Sequence, residues 1–104
     1  MLSQLLSRTV RCPIQDLSQV GESRRVGQDL AQRLAFDETQ AGKLAIVITE
    51  LGNNIIKHGA ADGELLLRTL QHNGETIGLE VLAIDNGRGM DNVNRNMVDG
   101  YSTA

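Results

Sequence analysis

Apolar positions along the 104-residue chain change period several times, and each change marks an element. Residues 8–14, RTVRCPI, alternate weakly and predict a short strand with Pro13 near its end. Asp16 or Ser18 then offers an N-cap. Leu17, Val20, Gly27, Leu30, Ala31 and Leu34 follow at near-helical spacing, with Arg24, Arg25, Gln28 and Arg33 mostly off that face. This predicts a first helix over about 17–35. Asp37 and Gln40 have the spacing of a capping box and open a second helix. It runs through Leu44, Val47, Ile48, Leu51 and Ile55 and is expected to stop at Gly59, a typical C′ residue. Its middle, LAIVIT, also fits a strand, but length and cap signals favour helix. Gly42 and Gly52 weaken the helix, and Gly52 suggests that a neighbour approaches closely there.

ELLLRTLQH (64–72) and TIGLEVLAI (76–84) read as strands, and Asn73-Gly74 between them is a specific hairpin signal. From Asp85 onward the chain is rich in Gly, Asn and Asp and reads as loop, with a short helix near 91–98. The order β-α-α-β-β-loop predicts an α+β fold: one domain over 1–104, a two-layer sandwich with its helices on one sheet face.

Composition narrows the function. Hydrophobic content of 40% and charged content of 22% describe an ordinary globule, and the low aromatic content leaves Leu, Ile, Val and Ala to build the core. With no Trp, one Phe and one Tyr, the chain has no platform for stacking bases. A net charge of −3 and no basic segment exclude a binder of the phosphate backbone, so no nucleic-acid partner is expected. No run approaches a membrane span, and MLSQLLSRTV does not read as a signal peptide. Cys12 is the single cysteine, so neither an internal disulfide nor a cysteine zinc cluster forms; this fits a reducing cytoplasm.

Two segments carry chemistry, ITELGNNIIKHG (48–59) and DNGRGM (85–90). On a helix, Glu50 and Asn54 project from one face, one turn apart, and Lys57 and His58 continue along or beside that stripe. A carboxylate can take a proton from an attacking hydroxyl. An amide oxygen is a hard ligand suited to Mg²⁺, and a cation can face phosphate charge. Asp85 follows an apolar strand, where its carboxylate can accept from an exocyclic amine, and Gly87 and Gly89 let backbone approach a ligand. Each piece also has a plainer account. Glu50, Asn53 and Lys57 suit a solvated helix face, His58 suits the negative end of a helix dipole, and DNG suits a tight turn. Neither GxGxxG nor the P-loop signature is present.

Taken together, the two segments resemble the motifs of the GHKL ATPase superfamily, which includes gyrases, histidine kinases and related ATPases with the Bergerat fold. Glu50 and Asn54 match its N-box, E-x-x-x-N, and Asp85, Gly87 and Gly89 match its G1 box, D-x-G-x-G. The resemblance implies ATP and Mg²⁺ as cofactors, Glu50 as catalytic base, Asn54 as metal ligand and Asp85 as the adenine contact. Within the superfamily the chain is most similar to bacterial anti-sigma-factor serine kinases and the switch kinases of stress-response modules. DLSQVGESRRVGQDLAQRLAF resembles their first helix and DGYSTA (99–104) the approach to their ATP lid. Similar domains are also fused to PP2C-type phosphatases. The resemblance therefore implies a cytoplasmic serine/threonine protein kinase acting in signal transduction. Its partner would be a STAS-domain antagonist or related regulator, with a sigma factor or fused phosphatase as further partners and a homodimer as one assembly.

The family continues into a glycine-rich G2 box, whereas this sequence ends at Ala104, so a C-terminally incomplete domain is expected. Two alternatives stay open. One is a nucleotide-binding module that sequesters a partner with little turnover. The other is the ATP domain of a histidine kinase, against which stands the absence of any histidine in residues 1–36.

Overall fold

The computed structural model describes residues 9–58, 62–85 and 92–99, with Asp85, 92–97 and 99 described as backbone. The elements are β1 (Thr9–Ile14), α1 (Leu17–Arg33), α2 (Glu38–Lys57), β2 (Gly63–His72), β3 (Glu75–Asp85) and β4 (Asn92–Asp99). The strands form one antiparallel sheet in the order β1-β2-β3-β4. Both helices pack against one of its faces, giving the expected α+β two-layer architecture.

Local chemistry explains where the helices begin. Asp16 is the N-cap of α1: its carboxylate accepts from the Gln19 amide at 3.2 Å, while the Gln19 side chain accepts from the Asp16 amide. Asp37 and Gln40 form the same reciprocal pair for α2, at 2.8 and 2.9 Å. Each box satisfies donors that the first helical turn leaves without partners. Ser18 also donates to the Asp16 carboxylate. That bond first, and the Gln19 amide second, hold the carboxyl below its ordinary range. Helix α2 ends with His58 as C-cap, its N–H donating to the Asn54 carbonyl at 3.0 Å; the expected stop at Gly59 lies outside the described residues.

In the hairpin, Asn73 and Gly74 both have positive φ, 52° and 79°, as a two-residue type I′ turn requires. A bulge follows: Leu70 pairs with Gly78 but Gln71 with Thr76, leaving Ile77 as the extra residue on β3.

Two expectations need correction. Residues 92–99 are not a loop with a short helix but the edge strand β4, paired with β3 from Asp85↔Asn92 to Gly78↔Asp99. Its apolar residues, Val93, Met97 and Val98, follow at intervals of four and one, which leaves no strict alternation to read as a strand. The second correction is Leu17, expected on the buried face of α1. It is the first residue of the helix and is 67% exposed.

The core lies between the layers. Leu65 and Leu67 of β2, Leu79 and Val81 of β3 and Ile14 of β1 meet Leu44, Ile48, Leu51 and Ile55 of α2. Burying each of these side chains stabilises the fold by roughly 1.5–3 kcal/mol. Cys12 belongs to this core; burial pushes its thiol pKa up, partly offset by a hydrogen bond with Ser23. Its chemistry is therefore that of a small apolar residue rather than a nucleophile. On the sheet face away from the helices, Glu80 is fully buried and pairs with Arg68, its register partner on β2. Removing the Arg68 guanidinium would take a counter-charge away from that buried carboxylate.

Close contacts fix α2 relative to its neighbours. A Cβ at Gly52 would lie 3.0 Å from Val20 of α1, so the glycine allows the close approach expected there. A Cβ at Gly63 would lie 2.1 Å from Ile55, which seats the start of β2 directly against the C-terminal half of α2.

Candidate functional site

Helix α2 presents three surfaces. Leu44, Ile48, Leu51 and Ile55 face the sheet and are buried. A flank of Ala45, Thr49 and Gly52 meets α1: the Arg24 guanidinium donates to the Thr49 hydroxyl at 3.4 Å, and that hydroxyl donates to the Ala45 carbonyl at 2.8 Å. The third surface carries Ile46, Glu50, Asn54 and Lys57, all exposed. Ile46, Glu50 and Asn54 follow at intervals of four and Lys57 three residues later, so the four form one stripe. The N-box pair is thus placed where its spacing predicted, on a flank that packing leaves open. Among the described residues, the side chains of Glu50, Asn54 and Lys57 have no hydrogen-bonding or ionic partner. His58 is exposed beside the stripe as the helix cap.

The sheet brings the second motif to the same end of the molecule. Ile84 pairs with Glu64, next to Gly63, and Gly63 sits against Ile55. Asp85 closes β3 one residue further on, so its backbone lies at the end of the sheet that meets the Asn54 level of α2. Gly87 and Gly89 lie outside the described residues.

The donor set bears on the implied metal. Among the described residues no cluster of three or more His, Cys, Asp or Glu could hold a cation. An all-protein cage is therefore absent from that part of the chain. One exposed amide beside a carboxylate suits Mg²⁺, which keeps several waters and takes phosphate oxygens as its other ligands. The residues present fit a metal that arrives with a nucleotide.

The cleft between the helices is a different place. It encloses about 330 Å³ and is lined by Arg24, Gln28, Ala41, Gly42 and Ala45. None of the residues singled out by the motifs lines it. Sequence reasoning also passed over Ile46, whose 59% exposure puts an apolar side chain one turn from Glu50. The signal was present in its helical phase, since Ile46 lies four residues before Glu50 rather than on the stripe of Leu44, Ile48 and Leu51. No helix among the described residues is long and apolar enough to cross a membrane.

Comparison with known proteins agrees with this geometry. Residues 15–101 match the model of the histidine kinase-like ATPase domain. The chain is 29% identical over 82 residues to the serine/threonine-protein kinase RsbT of Bacillus subtilis (strain 168). That alignment covers 79% of this chain and 60% of the relative, so the chain spans well under the whole length of RsbT. Both findings support the GHKL superfamily and its anti-sigma-factor kinase branch. No solved structure gives a significant match.

Proposed function

We propose that this chain, which belongs to the histidine kinase-like ATPase family, is the ATP-binding domain of a protein serine/threonine kinase that phosphorylates a STAS-domain regulator. The observation that carries the reading is the open flank of α2. Glu50 and Asn54 stand exposed on one stripe, without partners among the described residues, level with the end of the sheet where Asp85 closes β3. A solvated helix face has no need to be level with a strand end that carries the second half of a nucleotide motif.

Each residue has a role in this reading. Asp85 accepts a hydrogen bond from the adenine amine and selects the base. The Asn54 amide oxygen holds Mg²⁺, which when bound neutralises charge on the phosphates. Lys57 faces the phosphates from one turn further on, and His58 stands beside it at the helix cap. Gly87 and Gly89 give the backbone room to approach the nucleotide. Glu50 orients the acceptor hydroxyl and takes its proton. The acceptor oxygen then forms a bond to the γ-phosphorus, the bond from that phosphorus to the β–γ bridging oxygen breaks, and ADP leaves. Such a transfer depends mainly on positioning and charge neutralisation, so a few well-placed residues suffice.

The test is phosphoryl transfer from radiolabelled Mg·ATP to a STAS-domain protein, wild type against Asn54→Ala. The reading expects an acid-stable phosphoprotein with the wild type and none with the variant. Transfer retained by Asn54→Ala would sink the assignment, and an acid-labile product would indicate phosphohistidine chemistry instead. Nucleotide binding without transfer would favour a regulatory module.

A further inference from the structure

We propose that the open edge of β1 docks an extended segment of a partner protein that carries a lysine or arginine. β1 pairs with β2 alone, and no other backbone hydrogen bond reaches Thr9–Ile14 among the described residues. An unpaired edge presents a row of amides and carbonyls, and the ligand that satisfies such a row is another extended backbone. Folds commonly blunt their edges with proline and with charge. β1 carries both, and neither closes the edge. Pro13 removes a single N–H, near the end of the strand. The Arg11 guanidinium is held by Glu64 of β2, at 2.6 and 3.0 Å, so its charge is already countered. Residues 9–12 are therefore able to pair.

A pocket beside the edge says what the partner carries. It encloses about 130 Å³, on the scale of one long side chain. It lies between Arg11, Cys12 and Pro13 of β1 and Glu22, Ser23 and Val26 of α1. Side chains of an added strand alternate between the two faces of the sheet, so one of them can enter the space between β1 and α1. Cys12, buried, and Val26, half-buried, give the pocket an apolar wall. The Ser23 hydroxyl is already engaged, donating to the Gln19 carbonyl at 2.9 Å. Glu22 is different. It is exposed, and among the described residues its carboxylate has no hydrogen-bonding or ionic partner. An apolar wall beside an unneutralised carboxylate suits a side chain with an apolar stem and a cationic head. A second copy of this chain fits less well. Two β1 strands side by side would bring Pro13 in twice, and the cation of the second strand, Arg11, is already held by its own Glu64.

The experiment pans a displayed library of random peptides on the full chain and follows the best binder by fluorescence anisotropy. The selected peptides are expected to share a lysine or arginine within a strand-forming stretch. N-methylation of alternate peptide amides keeps every side chain in place. It should abolish binding in one of the two alternating sets and spare it in the other, because a strand at an edge turns only every second amide towards its neighbour. Glu22→Lys replaces an attraction with a repulsion at an exposed helix position. It should weaken the best peptide about tenfold and turn selection towards Asp and Glu. No enriched peptide, or binding indifferent to both N-methylation patterns, overturns the proposal. So does selection of basic residues that survives Glu22→Lys. A dimer of the chain that excess peptide dissociates in sedimentation would also overturn it, because a second copy would then be the cover of the edge.

Discussion

On the α1-facing flank of helix α2, Thr49 and Gly52 are met by Arg24 and Val20, whereas on the opposite flank Ile46, Glu50, Asn54 and Lys57 stand exposed. The two flanks belong to the same 20 residues and share the same backbone hydrogen bonds, so helix formation does not distinguish them. Tertiary packing does. One flank holds small residues that let a second helix approach, and its single hydroxyl is satisfied twice, by Arg24 and by the Ala45 carbonyl. The other holds a carboxylate, an amide and a cation for which no partner occurs among the described residues. Side chains of the first kind should matter for stability, and those of the second kind for ligands.

The largest expected effects test that division directly. Ile48 is fully buried between the flanks, and Ile48→Ala should destabilise the fold by about 2–5 kcal/mol in denaturant titrations. If the stability were instead unchanged, the assignment of core and open surfaces would be wrong. Asn54→Ala should behave in the opposite way, lowering phosphoryl transfer by about a hundredfold or more while shifting stability by about 0.5 kcal/mol or less. A large loss of stability with Asn54→Ala would mean that the open flank is part of the fold after all.

A smaller effect is expected at the cap that fixes the register of both flanks. Asp37→Ala removes the bond to the Gln40 amide and should cost about 1 kcal/mol, measured by thermal melting. A destabilised helix start would leave Mg·ATP affinity unchanged, because Glu50 and Asn54 lie more than three turns away. The smallest effect concerns Asp16, outside α2. Its folded-state pKa is depressed, first by the Ser18 hydroxyl and then by the Gln19 amide. A depressed carboxyl contributes stability above its unfolded pKa and loses it as pH falls through the folded one. Melting temperature should therefore fall less steeply in acid for Asp16→Asn than for the wild type, and an equal slope would show that the cap does not titrate as described.

Much of this was legible in the sequence because the signals were local. The Asp37–Gln40 capping box, the N-cap offered by Asp16 or Ser18, the Asn73-Gly74 turn and the spacing of Glu50 and Asn54 depend on residues a few positions apart, whereas the Gln19 half of the first box was not read. What could not be read was set by partners distant in sequence. Strand β4 takes its identity from pairing with β3, since Val93, Met97 and Val98 follow no regular period in the sequence. Glu80, fully buried in a strand, depends on Arg68 across the hairpin. Ile46 looked like one more apolar position in LAIVIT until the sheet fixed which side of α2 is covered.

The claim at the centre of this account is that the open flank of α2 and the end of β3 form one ATP site. Calorimetric titration of the full chain with Mg·ATP, wild type beside Asp85→Asn and Asn54→Ala, tests it most directly. The account predicts micromolar binding by the wild type, loss of binding in Asp85→Asn, and a loss in Asn54→Ala that depends on the presence of Mg²⁺. No binding by the wild type, or equal binding by all three proteins, would contradict it.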